Sequence, residues 1–507
     1  ARRTGLVGRN GVGKSVLARL LAGRLSPARG RCLRSGPVAW LPQQIDAAPG
    51  ASVADLAGLG DALAALQRIE QGSSDIADFE ALGERWQLRE HLQAELERMQ
   101  LHGVSAAMPA CRLSGGQRMR VALAGAFLSD ADFLVLDEPS NHLDEAGRQL
   151  LREQLRRWPR GLLVVSHDRE LLGDMQRIVE LSALGLRSHG GNYDFYAARS
   201  SEERRQAADT LQQRRHERRQ GERALREQQE QRERRATRGD RQAAHANQAP
   251  ILLGRQKQRA QASAGKAQLQ QQQQRARLDE QVRQAAAQVD AAAPVVLLPA
   301  ADAGPAPARV AVLQDVVLPF VDGPLARIDL LLGRGERLAL TGRNGSGKSV
   351  LLQVLAGRLP ARGGRLQVNA PHAWLDQHLS LPLPQATALE QLRHASPSTG
   401  EAELRTRLAL LGLDAGHAGQ PLAALSGGER MKLALACALY AQPPAQLLLL
   451  DEPANHLDLE AMQALEALLR QWPGTLLVAA HDEAFLHGIG ITGRLHAGAG
   501  GWCRLPP

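Results

Sequence analysis

A glycine-rich loop built around a lysine occurs twice in this chain of 507 residues. Glycines let the backbone N–H groups of such a loop wrap phosphates, while the lysine reaches the β- and γ-phosphates and the serine holds Mg²⁺. We therefore expect two bound ATP molecules and two copies of one nucleotide-binding domain. The predicted loop residues are Gly8, Arg9, Asn10, Gly11, Val12, Gly13, Lys14 and Ser15, and then Gly342, Arg343, Asn344, Gly345, Ser346, Gly347, Lys348 and Ser349.

The similarity between the two halves continues far beyond the loops. Lys348 follows Lys14 by 334 residues, and Gln377 follows Gln43 by the same interval. The later Ser-Gly-Gly and Asp-Glu-Pro runs recur after 312 and 314 residues. Matching over such distances indicates two copies of one domain rather than a stack of short repeats. The fall from 334 to 312 places 22 extra residues in the first half, between Gln43 and Ser114.

The pattern of strands and helices predicts the fold class. In each half short apolar strands alternate with helical segments, which indicates an α/β fold with a mostly parallel sheet. The first ATPase domain is predicted over residues 1–196 and the second over residues 309–507. Leucines at helical spacing predict a helical arm inserted at about 52–103. The elements expected in the first domain are strands Thr4–Val7, Phe133–Leu136 and Leu162–Ser166, and helices Lys14–Ala22, Gly116–Leu128 and Glu145–Trp158.

The two halves differ in what precedes the phosphate loop. The second loop follows some 30 residues of strand-like sequence, Arg309 to Leu340, which include Phe320. The first loop follows seven residues, which do not begin with methionine. We therefore expect an N-terminally truncated first domain that lacks two edge strands and the aromatic side chain that would stack on the first adenine.

Composition narrows the class of protein further. Apolar residues make up 44% of the chain, and no apolar run approaches the roughly 18–20 residues that span a bilayer. The first residues, Ala1 to Thr4, contain no signal-peptide core. The four cysteines are scattered without metal-ligand spacing, which is typical of proteins from a reducing compartment. These observations predict a cytoplasmic protein without a membrane segment.

The segment between the domains, residues 197–308, is predicted to be a basic helical linker. Residues 201–290 contain 20 Lys/Arg and 12 Asp/Glu, a surplus of 8 that supplies most of the net charge of +9. Abundant Arg, Gln, Glu and Ala favour long helices, and a break from Thr237 to Pro250 predicts a helical hairpin around that tip. The alternative is a solvated, partly disordered linker, since Gln270 to Gln274 is of low complexity.

Acidic residues and histidines follow each loop at matching places. In both halves an aspartate ends an apolar strand, where its carboxylate and an earlier glutamine can help hold Mg²⁺. The next residue is a glutamate placed to orient or deprotonate the attacking water, and a later histidine can hydrogen-bond the γ-phosphate. The predicted metal ligands are Ser15, Gln43, Asp137, Ser349, Gln377 and Asp451. The predicted catalytic residues are Glu138, Glu452, His167 and His481.

Two Ser-Gly-Gly turns complete the predicted ATP-binding set. They open helices, whose N-termini attract anions. The sequence does not decide whether Glu429, which replaces the glutamine of the first copy, weakens the phosphate contact or leaves it unchanged. His142 and His456 are interpreted as structural rather than catalytic. The turn residues are Ser114, Gly115, Gly116 and Gln117, and then Ser426, Gly427, Gly428 and Glu429.

The fixed order of loop, Gln, Ser-Gly-Gly, Asp-Glu-Pro and His closely resembles the ATP-binding-cassette ATPases. The runs Asn141 to Asp144 and Asn455 to Asp458 both read Asn-His-Leu-Asp. With two tandem cassettes and a basic linker, the chain resembles the ABC-F family over essentially its whole length. It departs from the family at its missing start, at Glu429 and in its Gln-rich linker, and the subfamily is left open.

This resemblance implies a mechanism and a partner. Each ATP would lie between two cassettes of one monomeric chain, Lys14 opposite Ser426 and Lys348 opposite Ser114, and hydrolysis to ADP and phosphate would release the closed state. The family acts on the ribosome, so the resemblance implies a translation factor that inserts its linker near the P-site tRNA. Regulation of translation and ribosome protection with antibiotic resistance both stay open.

The linker tip is the expected RNA contact. Aromatic residues make up 3% of the chain and are nearly absent from the linker, so we expect contact with RNA phosphate rather than with stacked bases. A solvated helix face is the alternative interpretation. The predicted contact residues are Arg238, Arg241, Arg255 and Lys257.

Two other classes of function are considered. One is a nucleotide-binding subunit of a membrane transporter, although a basic hairpin between fused cassettes argues against it. The other is a DNA-repair or chromosome ATPase with a coiled-coil arm. Such an arm needs sustained heptads, and the apolar positions of the linker are too sparse to supply them.

Overall fold

The computed structural model describes residues 2–141, 143–245, 265, 269–286, 306–377, 379, 381–413, 415–455 and 457–506. They belong to two compact units, Ala1–Asp194 with Ala293–Pro507, and Phe195–Ala292. Both phosphate loops lie in the first unit. The bounds that the sequence predicts for the cassettes and the linker stay predictions.

The first cassette is built on a six-stranded sheet. Its strands are β1 (Arg3–Val7), β2 (Val38–Leu41), β3 (Phe133–Asp137), β4 (Gly161–Val165), β5 (Arg177–Ser182) and β6 (Gly185–Gly190). The spatial order is β2-β3-β4-β1-β5-β6, and every neighbouring pair except β5-β6 is parallel. Strand β4 is buried along its whole length, as expected for a parallel strand covered on both faces. The predicted α/β fold is confirmed.

Helices flank this sheet and form the arm. They are α1 (Lys14–Leu21), α2 (Val53–Leu56), α3 (Gly60–Glu70), α4 (Ile76–Leu82), α5 (Leu88–Arg98), α6 (Gly115–Phe127), α7 (Glu145–Arg157) and α8 (Arg169–Gly173), with a short 3₁₀ helix at Ala110–Arg112. Helices α2 to α5 fall within the segment predicted to be a helical arm. Its leucines Leu63 and Leu66 are buried, so the helical spacing in the sequence does correspond to a packed face.

The second compact unit is helical at every described residue that lies within it. Helix α9 spans Tyr193–His245, and residues 269–286 are also helical (α10). Arg218 Nη1 lies 3.5 Å from Asp279 Oδ1, and Gly221 leaves room for Leu278, so the two helices pack side by side in opposite directions.

The predicted start of the linker break is wrong. Helix α9 does not end at Thr237 but continues through Gly239 to His245. Glycine costs a helix about 1 kcal/mol relative to alanine, and the surrounding Arg, Ala and Gln residues favour helix strongly enough to outweigh it. The rest of the predicted break, residues 246–250, lies outside the described residues.

The second cassette repeats the sheet and adds another. Its strands are β7 (Arg309–Val317), β8 (Arg327–Gly333), β9 (Arg337–Gly342), β10 (Gly363–Val368), β11 (His372–Leu375), β12 (Leu447–Asp451), β13 (Thr475–Ala479), β14 (Gly493–Gly498) and β15 (Gly501–Leu505). The order β11-β12-β13-β9-β14-β15 reproduces that of the first cassette, and β10-β7-β8 form a separate antiparallel sheet. Its helices are α11 (Lys348–Leu355), α12 (Ala388–Ala395), α13 (Glu401–Leu410), α14 (Ala415–Ala418), α15 (Gly427–Leu439), α16 (Leu459–Gln471) and α17 (Glu483–Gly488), with 3₁₀ turns at Gly323–Ala326 and Leu422–Ala424.

The antiparallel sheet has no counterpart among the described residues of the first cassette. Leu33 and Val16 are 79% and 51% exposed there, whereas Val350, at the position equivalent to Val16, packs against the core formed with β7 and β8. Val16 is therefore exposed where its equivalent in the second cassette is partly buried.

Candidate nucleotide-binding sites

Each phosphate loop connects a central strand to a helix. The first loop leaves β1 at Val7 and enters α1 at Lys14. Gly11 and Gly13 have φ values of 81° and 104°, a left-handed conformation that glycine adopts at little cost. A Cβ atom added at either glycine would meet nothing within 4 Å, so the loop backbone is open to a ligand. The second loop repeats these conformations, with φ values of 79° at Gly345 and 95° at Gly347.

The two loop lysines are buried and bound to their own loops. Lys14 Nζ donates to the carbonyl oxygens of Gly8 and Arg9, at 2.8 and 3.0 Å. Lys348 repeats this contact with Gly342, at 2.8 Å. Burial lowers the pKa of both ammonium groups, while nearby carboxylates oppose the decrease. Because carbonyl oxygens carry no net charge, a polyphosphate is a stronger partner for these lysines than the loop itself.

The strand-end aspartates suit a hard cation. Asp137 is 2% exposed, and its Oδ1 has no hydrogen-bond partner among the described residues. Ser349 Oγ donates to Asp451 Oδ1 at 3.0 Å. Burial raises the pKa of both carboxyl groups, and hydrogen bonds from the loop serines oppose the increase. An oxygen-liganded Mg²⁺ fits this arrangement.

The rest of a Mg²⁺ shell would come from neutral oxygens. Gln43 borders the cleft at Lys14, and Gln377 borders the cleft at Lys348. No cluster of three or more His, Cys, Asp or Glu side chains able to hold a metal occurs in the described part of the chain. Amide, hydroxyl, water and phosphate oxygens would therefore complete the coordination.

Each candidate catalytic glutamate lies beside its histidine. His167 Nε2 is 3.5 Å from Glu138 Oε1, and His481 Nε2 is 3.4 Å from Glu452 Oε1. Glu138 and Glu452 have φ values of 51° and 48°, a conformation that costs a non-glycine residue about 1–3 kcal/mol. Such strain persists where the surrounding structure holds a side chain in a required place, which is common at active sites.

Burial changes the acidity of these four side chains. It raises the pKa of Glu138 to about 8 and that of Glu452 to about 7. The charge of Lys14 opposes the increase at Glu138, whereas Arg148 and then Lys348 oppose it at Glu452. Burial lowers the pKa of the two histidines to about 3 and about 4, so both are neutral near pH 7. They can therefore donate or accept hydrogen bonds without adding charge.

Residues of both cassettes line each cleft. The cleft at Lys348, about 400 Å³, includes Ser114, Gly115 and Gly116 of the first cassette. The cleft at Lys14, about 420 Å³, includes Asn455 and Leu457 of the second. Each phosphate loop therefore faces the opposite cassette within one compact unit.

Each phosphate loop donates a backbone amide hydrogen bond to an aspartate side chain of the other cassette. The Asn10 amide donates to Asp458 Oδ2 at 2.9 Å, and the Asn344 amide donates to Asp144 Oδ2 at 3.4 Å. Each aspartate is the last residue of an Asn-His-Leu-Asp run, so both runs contact the phosphate loop of the other cassette. His142 and His456 themselves lie outside the described residues.

The two Ser-Gly-Gly turns are built alike but placed differently. Ser114 and Ser426 cap α6 and α15, each in a capping box with the residue three positions on. Glu429 fills this role as well as Gln117 does, because its carboxylate accepts from the Ser426 amide at 2.8 Å. The first turn lines the Lys348 cleft. The second turn, Ser426, Gly427 and Gly428, is not among the described residues that line the Lys14 cleft.

The remaining predicted residues are placed as follows. Arg9, Val12, Arg343 and Ser346 lie within the two loops, and Arg9 pairs with Glu460 of the second cassette at 3.4 Å. Arg238 is exposed on α9. Arg241 belongs to α9, but its side chain lies outside the described part of the structure, as do Arg255 and Lys257. The predicted RNA contacts therefore stay predictions.

Comparison with known proteins decides the family. A family model described as "ABC transporter" matches residues 1–141 and 325–455. The chain is 31% identical to the tylosin resistance ATP-binding protein TlrC of Streptomyces fradiae, over 95% of this chain and 90% of that protein. It is 30% identical to the ribosome protection protein VmlR of Bacillus subtilis, over 95% and 79% of the two proteins.

The chain belongs to the ABC-F family. Its predicted family is thus confirmed, and this ABC-F protein is an ATPase whose two cassettes bind ATP. A solved structure of the RNase-L inhibitor shares its fold, with a TM-score of 0.59, 19% identity and coverage of 100% of this chain and 86% of that one. Within the described ranges, no helix of the ABC-F protein combines the length and apolarity needed to cross a membrane.

Two arginines at the cassette boundary of this ABC-F protein are not among the residues predicted from the sequence. Arg148 borders both clefts, and Arg169 Nη1 lies 2.9 Å from Glu466 Oε1 of the other cassette. Alignment of the two halves could have identified these arginines. At a spacing of 314 residues, Arg148 aligns with Met462, and Arg169 aligns with Glu483, so charge changes between copies at residues that face the cassette boundary.

Proposed function

We propose that this ABC-F protein is an ATP-driven translation factor that binds the ribosome in the cytoplasm. The observation that carries the proposal is the pairing of two clefts, each lined by both cassettes, with an Arg-rich helical unit in the same chain. Two relatives also support ribosome binding, because VmlR is named a ribosome protection protein and TlrC is named a tylosin resistance protein. This function takes one of two forms, regulation of translation or protection of the ribosome.

The proposed chemistry at each site is hydrolysis of ATP by water. Lys14 and Lys348 bind the β- and γ-phosphates, and Glu138 and Glu452 orient or deprotonate the attacking water. The neutral histidines hydrogen-bond the γ-phosphate. At each site Mg²⁺ would neutralise phosphate charge. Ser15, Gln43 and Asp137 would hold it at the Lys14 site, and Ser349, Gln377 and Asp451 would hold it at the Lys348 site.

The proposed mechanical step is closure of one chain on two nucleotides. ATP on Lys348 contacts the Ser114 turn, and ATP on Lys14 contacts the Ser426 turn, so the protein acts as a monomer. Helix N-termini favour the negative charge of a γ-phosphate, and loss of that phosphate removes the contact. Hydrolysis therefore allows the cassettes to separate.

The proposed role of the linker is to approach the tRNA near the ribosomal P site. Exposed arginines favour the RNA backbone through charge, so binding depends on salt and tolerates sequence changes. Arg238, Arg241, Arg255 and Lys257 are the proposed contacts at the linker tip. Replacing all four by alanine should preserve ATP hydrolysis and weaken ribosome binding.

The test of ribosome binding uses the variant Glu138→Gln/Glu452→Gln, which should bind ATP and hydrolyse it very slowly. Sedimentation of a cell lysate through sucrose should place this variant with the ribosomes when ATP is present and release it when ATP is removed. Glu153→Gln on α7 is the matched control and should sediment like the unchanged protein. Recovery of the double variant with membranes or with DNA would contradict the proposal in favour of a transporter subunit or a chromosome ATPase.

A further inference from the structure

Arg148 stands where the first cassette meets the phosphate loop of the second. It lies on α7, four residues after Asp144, whose carboxylate accepts from the Asn344 amide. It borders the cleft at Lys348 together with Glu452. Its side chain is only 19% exposed, so its charge acts in a partly desolvated environment, where electrostatic interactions are stronger than in water.

The first cassette itself holds Arg148 in this place. Its Nε donates to the Leu143 carbonyl at 3.4 Å, and its Nη1 lies 3.6 Å from Asp168 Oδ2. Asp168 also caps α8 by accepting from the Leu171 amide at 3.0 Å. Residues of its own cassette therefore hold the guanidinium at the boundary.

The other cleft has a different residue at this position. Met462 follows Arg148 by 314 residues and lies four residues after Asp458, whose carboxylate accepts from the Asn10 amide. It borders the cleft at Lys14 and is 4% exposed. By the internal symmetry of the chain, the second cassette thus supplies an uncharged thioether to the Lys14 site where the first cassette supplies a cation to the Lys348 site, and Arg148 also borders the Lys14 cleft.

We propose that Arg148 is a positioning residue of the Lys348 site, supplied by the opposite cassette, and that this site hydrolyses ATP faster than the Lys14 site. The guanidinium stabilises the negative charge that Glu452 and the γ-phosphate bring together in the closed state. A preorganised cation placed where charge develops lowers the barrier to phosphoryl transfer. The inference rests on the proposed roles of Glu138 and Glu452 in hydrolysis.

The experiment isolates each site with a glutamine. In Glu138→Gln only the Lys348 site turns over, and in Glu452→Gln only the Lys14 site does. Arg148→Met, which copies the residue of the other site, should reduce kcat of the Glu138→Gln protein by about tenfold or more, while KM for ATP changes less than about threefold. The same substitution in the Glu452→Gln protein should change kcat less than about twofold, although Arg148 also borders that cleft.

Two further variants separate positioning from folding. Arg148→Lys keeps the charge and should restore a substantial part of the lost kcat. Arg157→Met removes an exposed arginine from the same helix and should leave kcat unchanged in both backgrounds. If either single glutamine stops all turnover, the Arg148→Met substitution is instead made in the otherwise unchanged protein. Vanadate then traps 8-azido-ADP at the site that hydrolyses, and photolabelling identifies the cassette. The label should lie mainly on the second cassette in the unchanged protein and mainly on the first cassette in Arg148→Met.

The outcomes distinguish this inference from the proposed function. An equal loss of kcat in both backgrounds, or no loss in the Glu138→Gln protein, overturns the role of Arg148. Loss of secondary structure or a lowered melting temperature in Arg148→Met without recovery in Arg148→Lys also overturns it, because the residue is then structural. Turnover that persists in Glu138→Gln/Glu452→Gln instead contradicts the hydrolytic roles on which both proposals depend.

Discussion

The Lys14 and Lys348 sites agree in the residues of their own cassette and differ in those around them. Both have a buried lysine on its loop, a strand-end aspartate and a glutamate beside a histidine. The Lys348 cleft is also bordered by Phe320 and by the Ser114 turn. Among the described residues of the Lys14 cleft there is neither a Phe, Tyr or Trp nor the Ser426 turn.

This comparison shows where two copies of a domain can become unequal. The loop residues bind a common substrate, so either copy tolerates little change. Residues contributed across the boundary can differ between the two sites, as Arg148 and its repeat equivalent Met462 do, without any change in the loops themselves. We therefore expect unequal sites in a chain whose catalytic motifs are nearly identical.

The largest expected effect concerns the two glutamates. Glu138→Gln/Glu452→Gln should reduce steady-state ATP hydrolysis by about 100-fold or more, because each removes a group that activates water. Glu452→Gln alone should lower turnover more than Glu138→Gln alone. Phosphate release at saturating ATP measures both effects, with Glu153→Gln as the control. Equal losses in the two single variants would remove the proposed difference between the sites.

A smaller effect is expected at Phe320, which is 76% exposed and borders the Lys348 cleft. Stacking of a base on an aromatic ring contributes about 1–3 kcal/mol, so Phe320→Ala should weaken one of two ATP-binding events by roughly 5- to 150-fold. Titration with a fluorescent ATP analogue should show one changed and one unchanged affinity. Phe79→Ala, in the arm, should change neither. A uniform loss at both sites would contradict stacking at one adenine.

The ion pair between Arg169 and Glu466 offers a test of the boundary itself. A double-mutant cycle to alanine should give a coupling of about 1 kcal/mol, because both side chains are largely buried and 2.9 Å apart. The repeat-equivalent pair, Arg152 and Glu483, should show almost none, since Glu483 instead pairs with Arg494 in its own cassette. Urea unfolding monitored by circular dichroism measures both cycles. Equal coupling energies would mean that the boundary is symmetric.

The smallest effect concerns the pH dependence of stability in the first cassette. Burial acts to raise the pKa of Asp174, but hydrogen bonds from Arg152 and Arg156, at 2.8 and 2.6 Å, leave it below its ordinary value. Because the folded-state pKa is depressed, the stabilisation is present above the unfolded pKa of about 4 and is lost as pH falls. Asp174→Asn should therefore lower the melting temperature near pH 7, and the difference should shrink only below about pH 4, for example near pH 3.

The second cassette supplies the control for that prediction. Gly488 occupies the position equivalent to Asp174, and Glu466 packs against it. Gly488→Ala adds no carboxylate and brings its methyl group against Glu466, so its effect on the melting temperature should not follow the loss of the Asp174 ion pairs below about pH 4. A pH-independent difference for Asp174→Asn would show that its ion pairs do not contribute.

Much of the fold could be predicted because it depends on local patterns. The predicted strand Phe133–Leu136 and helix Glu145–Trp158 match β3 and α7 to within one residue, since apolar runs and helix caps mark their ends. The helix through Gly239 was missed because one glycine cannot outweigh the helix formers around it. The loops were predictable for a similar reason, as phosphate binding needs those residues in that order.

The contacts across the boundary could not be predicted in the same way. Asp144 and Asn344 are 200 residues apart, and no local pattern connects them. The capping roles of Gln117 and Glu429 depend on backbone geometry at the turn, which is why the sequence left the effect of Glu429 open. Glu429 Oε1 also lies 3.1 Å from His417 Nε2 on α14, a helix that has no counterpart among the described residues of the first cassette.

The most direct test is a structure of Glu138→Gln/Glu452→Gln bound to ATP and Mg²⁺. We predict one ATP on Lys14 with its γ-phosphate against Ser426, one on Lys348 with its γ-phosphate against Ser114, and Arg148 nearer to the second nucleotide than to the first. Two nucleotides held by their own cassettes alone, with neither Ser-Gly-Gly turn within contact distance of a phosphate, would contradict the proposal that ATP closes this chain across the boundary between its cassettes.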